Sequence, residues 1–158
     1  MTPAGYTSFH LGNVFCVLAV MIIDGVSGGL AGAIGMGIGD LLDPAYVATA
    51  PKTLFLKFMI GFIAGTMARK FDLSNRQGKD LIKFTVLVTG LAMLANLIGE
   101  PVVSYIYYKL IMGNETKALG YLAWGKWVTT SVNCLLTVIF SSALYLAIRK
   151  RLPNYFSR

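Results

Sequence analysis

A small set of side chains that can hydrogen-bond or ionise stands within or beside long apolar stretches: His10, Asn13, Asp40, Lys57, Glu100, Lys126 and Asn133. Each ionised group among them costs about 2.5–3.5 kcal/mol if it faces lipid at depth, so such groups are expected to face one another. A ring of mixed donors and acceptors that is open on one side suits capture of a small polar metabolite. Tyr46, Trp124 or Trp127 would add a ring face for stacking on a heteroaromatic ligand. Other roles fit the same residue types. Lys57 near a helix end can snorkel to the interface. Lys126, between Trp124 and Trp127, suits an aromatic belt. Glu100, directly before Pro101, suits a kink residue paired with a lysine, and Asn133 suits a hydrogen bond between helices. His10 suits a hydrogen-bonding fixture. Asp43, beside Pro44, reads as a stop signal, whereas Asp40 is expected to point inward.

Other chemistries lack their signatures. There is no P-loop sequence, no nucleophile elbow and no His/Cys spacing for a metal, so no catalytic residue, cofactor or metal is expected. Gly35-Met36-Gly37-Ile38-Gly39 has the spacing of a dinucleotide loop but lies in an apolar run with no strand before it. Cys16 and Cys134 also lie in apolar runs, where a thiol behaves as a small hydrophobe and no disulfide is indicated. Fourteen basic and seven acidic residues give a net charge of +7. The basic residues gather at Arg69, Lys70, Arg76, Lys79 and Lys83, and at Arg149, Lys150, Arg151 and Arg158, as anchors at a membrane surface rather than as a nucleic-acid face.

The elements that must position these groups follow from composition. Of 158 residues, 56% are apolar and 13% charged, which leaves too little polar surface for a soluble domain of this size. Strands of a membrane barrel would alternate apolar and polar residues, and these runs do not. The expected fold is all-α: a polytopic transmembrane helix bundle forming one membrane-embedded domain over residues 1–158. The apolar runs are Leu11–Ile23, Val26–Leu42, Thr53–Ala68, Asp80–Met112 and Thr116–Ile148, which makes five spans, with Pro101 expected to kink the fourth. Small residues four apart, at Gly25/Gly29, Gly28/Gly32, Gly35/Gly39, Gly61/Gly65 and Ala64/Ala68, would let helices approach closely. The basic connection and the basic tail place both in the cytoplasm, so the protein is expected in the cell membrane as a multi-pass chain with a cytoplasmic C-terminus. Five crossings then put the N-terminus outside without a positive cluster to drive it there. That parity predicts a further helix ahead of Met1–His10.

Several of these stretches together resemble a known family. They are His10-Leu11-Gly12-Asn13, the run Gly28 to Gly35, Asp40-Leu41-Leu42-Asp43-Pro44-Ala45-Tyr46, Ala50-Pro51, Lys57, Lys126-Trp127 through Asn133, and Leu144 to Ala147. The pattern covers most of the chain and is similar to the substrate-capturing S components of energy-coupling factor (ECF) transporters. The branch it resembles is associated with pyridoxine, hydroxymethylpyrimidine or riboflavin, and leaves the vitamin open. The resemblance implies a six-helix bundle that binds a vitamin on the extracellular side. It also implies docking on a transmembrane coupling subunit and two ATPases, which drive release inward. Two departures stand out: the resemblance begins after the family's first helix, whose docking residues lie four apart, so that helix is expected ahead of Met1, and Asn13 stands where many relatives have aspartate. The alternative function class is a glycine-rich membrane scaffold or pore-forming oligomer. It accounts for the glycines but not for buried lysine and glutamate at one side of the bilayer.

Overall fold

The computed structural model describes residues 11–152 apart from 24, 45 and 123, and among these residues it is helical, with no strand. The helices are α1 (Gly12–Ile22), α2 (Gly25–Leu42), α3 (Ala50–Lys70), α4 (Gly78–Ile106), α5 (Glu115–Leu122) and α6 (Trp124–Arg151). Single 3-10 turns at Val47–Thr49 and Leu73–Asn75 connect α2 to α3 and α3 to α4, and a π turn at Tyr107–Ile111 follows α4. Among the described residues, four stretches are long and apolar enough to cross a membrane: Gly25–Leu42, Val47–Lys70, Gly78–Ile111 and Lys126–Arg151. α1 has 11 residues, about 16 Å of helix against a hydrocarbon core of about 30 Å. It is packed against α2, α3 and α6, and most of its residues are buried.

Helix boundaries have local causes. α3 starts at Ala50 with Pro51 in its first turn, where the missing N–H costs nothing. It ends on Arg69 and Lys70, whose charges suit the negative end of the helix dipole. Asp72 then takes a left-handed conformation at φ +50°, and its carboxylate accepts from the Asn75 side chain. α4 runs on through Pro101 to Ile106. The apolar run that began at Thr116 in the sequence is two helices: α5 packs mainly on α4 and the π turn, and α6 alone makes the crossing. Glu115, Lys117 and Gly120 make the first of these segments too polar and too weak a helix former to extend the span.

Glycine governs the α2/α3 seam. A Cβ on Gly25 would lie 2.7 Å from Gly65 Cα, and one on Gly29 would lie 3.2 Å from Gly61 Cα, so the two backbones touch as the four-residue spacing predicts. Gly35 and Gly39 share that spacing, yet nothing lies within 4 Å of a Cβ built on either. α4 and α6 meet differently, through facing polar stripes. Thr85, Thr89, Asn96 and Ser104 are buried on α4, and Thr129, Asn133, Thr137 and Ser141 on α6. Several hydroxyls bond their own helix's carbonyls, such as Thr85 to Leu81 and Thr137 to Asn133, which satisfies them in an apolar setting. The Thr89 and Ser142 hydroxyls bridge the two helices at 3.0 Å.

Candidate functional site

The helices alternate in direction, so the starts of α1, α3 and α6 meet the ends of α2 and α4. Contacts fix this register: Gly12 lies beside Met36 and Gly37 beside Leu54, Lys52 reaches Glu100, and Cys134 reaches Met93. The opposite end carries the basic connection. There the Arg149 guanidinium donates to the carbonyls of Leu73 (2.6 Å) and Arg76 (2.8 Å) and to the Tyr145 hydroxyl (3.2 Å), and the Arg76 guanidinium lies 4.5 Å from the centre of the Phe84 ring.

At the first end the ionisable groups turn inward. Lys52 Nζ donates to Glu100 Oε1 at 3.1 Å and to Ser104 Oγ at 2.9 Å, and the Ser104 hydroxyl lies 3.4 Å from the same carboxylate oxygen. This triad ties α3 to α4. Its lysine is nearly buried and its glutamate partly so, with side-chain exposures of 6% and 22%. A pair this deep is held by mutual compensation, because removing one partner leaves an ion without its counter-charge.

Lys57 lies five residues further along α3, 4% exposed. Its side chain makes no hydrogen bond or ion pair among the described residues, and it sits within electrostatic reach of Glu100, Cys16, Lys52 and Asp40. Lys126 is buried at the start of α6, within reach of Lys52 and Glu100. Asn133 is buried two turns deeper on α6. Asn13 is buried at the start of α1, and one turn on, the Cys16 thiol contacts the Lys57 carbonyl at 3.7 Å. Three buried lysines therefore stand with the carboxylates of Glu100 and Asp40 at this end.

The remaining expected positions are less central. Asp40 is half-buried in the last turn of α2. Tyr46 is half-buried in the connection to α3, where its carbonyl accepts from the Thr49 N–H and hydroxyl at 2.8 Å each. The Tyr107 hydroxyl donates to Ala48 at 2.6 Å and pins that connection to the π turn. The Trp124 side chain is 82% exposed and is not brought to the cluster, whereas Trp127 is half-buried. His10 lies outside the described residues.

Lys52, Ser104 and Asn96 are absent from the sequence reading. Starting the third run at Thr53 left Lys52 in a loop, although Pro51 marks a first helical turn. Asn96, Glu100 and Ser104 recur every fourth residue, the spacing that places them on one face of α4. The arrangement is a set of buried donors and acceptors drawn from several helices. It can hold a small polar molecule by hydrogen bonds to several helices at once.

A family model described as the S component of an ECF-type riboflavin transporter matches residues 1–150. The chain matches no curated protein and no solved structure at a significant level.

Proposed function

This chain belongs to the S-component family of ECF-type riboflavin transporters, and we propose that it captures riboflavin, or a close flavin, at the lysine-rich end of its bundle. The family is one of multi-pass membrane subunits that bind a vitamin for an ECF transporter, and it is not an enzyme family. The observation that carries the reading is the division of charge between the two ends. Lys52, Lys57 and Lys126 are buried at one end, and the exposed Arg69, Lys70, Lys79 and Lys83 lie at the other. The positive-inside rule puts the exposed basic end and the C-terminus in the cytoplasm, so the buried lysines open to the extracellular medium.

A flavin presents carbonyl and ring-nitrogen acceptors on a flat ring and hydroxyls on its polyol tail. Lys57 and Lys126 supply donors to the acceptors, Asp40 and Asn133 take part at the rim and on α6, and Tyr46 and Trp127 offer ring faces. Bound on that side, the vitamin would pass inward when the subunit engages its transmembrane coupling partner and two ATPase subunits.

The experiment is a thermal-unfolding screen of the detergent-purified chain against riboflavin, pyridoxine, hydroxymethylpyrimidine and thiamine. A ligand that binds only the folded state stabilises it by mass action, about 2.7 kcal/mol at a hundredfold excess over Kd. Riboflavin is expected to raise the melting temperature and thiamine to leave it unchanged. A response to pyridoxine or hydroxymethylpyrimidine alone would replace the flavin with that vitamin, and no response at all would favour a scaffold.

A further inference from the structure

Two amide oxygens in the bundle have no hydrogen-bond partner among the described residues: Asn96 Oδ1 on α4 and Asn13 Oδ1 on α1. Their side chains are 3% and 2% exposed. An acceptor buried without a donor is unfavourable anywhere, and more so in an apolar interior. Such atoms mark a place where something else supplies the donor.

Asn96 is the better defined of the two. The Cys134 thiol donates to the Met93 carbonyl at 3.4 Å, which leaves its sulfur to accept from Asn96 Nδ2 at 3.7 Å. One N–H of the amide is thereby bonded to the sulfur, which orients the oxygen as an acceptor. Asn96 stands one turn deeper than Glu100 on the face that also bears Ser104. Lys52 meets Glu100 across the antiparallel α3/α4 pair at 3.1 Å, so Lys57, five residues deeper on α3, lies level with Asn96, four residues deeper on α4. A fixed acceptor and the Lys57 ammonium, a donor that no hydrogen bond among the described residues uses, therefore belong to one neighbourhood. The group complementary to that pair carries an N–H donor next to a carbonyl acceptor on a rigid frame.

We propose that Asn96 is a specificity-determining residue that accepts the ring N–H of a cyclic imide, while Lys57 donates to the adjacent carbonyl. The inference rests on the flavin reading, since the flavin ring carries one such imide edge, and it assigns that edge to the α4 side of the site. Asn13, whose amide no thiol fixes, accepts from a more adaptable donor such as a polyol hydroxyl. A site built around a buried acceptor rejects a ligand that cannot satisfy it far more strongly than it rejects a change in apolar bulk.

The test is equilibrium titration of the full chain in detergent with riboflavin and with N3-methylriboflavin, whose imide N–H is blocked. The wild type is expected to prefer riboflavin at least tenfold. In Asn96→Ala the two affinities should converge to within about twofold, with the ligand-free melting temperature unchanged or higher because an unsatisfied acceptor has been removed. Equal affinities in the wild type would overturn the subsite while leaving the flavin reading intact. So would a tenfold preference that survives Asn96→Ala, because the discrimination would then arise from the bulk of the methyl group elsewhere. An Asn96→Ala chain that melts far below the wild type would assign the residue to packing and also overturn the proposal. Failure of the wild type to bind either flavin would remove the functional reading itself, and the subsite with it.

Discussion

α3 presents two unlike faces to its neighbours. Toward α2, Gly61 and Gly65 bring backbone against backbone with Gly29 and Gly25. Toward α4, Lys52 reaches across to Glu100 and Ser104. One face associates by close van der Waals packing and tolerates no added atom. The other is held by a compensated ion pair. In a solvent as apolar as the side chains themselves, shape and polar pairing are what remain to drive helix association. Here the two are divided between opposite faces of one helix.

Substitutions can break that division. The largest effect is expected for Gly65→Leu, where the new side chain would have to displace the α2 backbone at Gly25. Unfolding followed by circular dichroism in detergent should show a loss of about 3 kcal/mol or more, or failure to assemble. Glu100→Gln comes next, at about 3 kcal/mol, because Lys52 would keep its charge without its counter-charge. The paired change Lys52→Met with Glu100→Gln should recover most of that loss, and a sum of the two single effects would show that the residues are not coupled. Lys57→Met should leave unfolding of the ligand-free chain nearly unchanged or slightly improved. It should weaken flavin binding tenfold or more, about 1.4 kcal/mol per decade, read by isothermal titration. Thr89→Val, which removes the bridge to Ser142 between α4 and α6, should cost about 0.6 kcal/mol, the average for hydrogen bonds between membrane helices.

The contrast also shows what could be read from the chain alone. Asn13, Lys57, Lys126 and Asn133 were legible because a polar side chain inside an apolar run has to turn toward the bundle interior, and all four are buried. The glycine seam was half legible. Four-residue spacing identified Gly25/Gly29 and Gly61/Gly65, but the same spacing at Gly35/Gly39 lies on an open surface, since spacing sets a face and not what that face meets. Lys52 escaped notice because three residues of helix were read as loop. Asn96 escaped because a single amide in a long apolar span gives no hint of whether its oxygen finds a donor, which depends on Cys134, 38 positions away. The division of Thr116–Ile148 into α5 and α6 depends on α5 folding back onto α4, a tertiary preference that apolar content does not encode.

The measurement that bears most directly on this account is a fluorescence titration of riboflavin with the purified chain, its Lys57→Met variant and its Lys79→Met variant. Lys57 stands for the buried lysine end, and Lys79, exposed at the start of α4, for the basic end. Saturable quenching by the wild type and by Lys79→Met, with at least tenfold weaker binding by Lys57→Met, is the predicted result. Absence of saturable binding, or equal affinity in all three proteins, would contradict flavin capture at the buried lysine end.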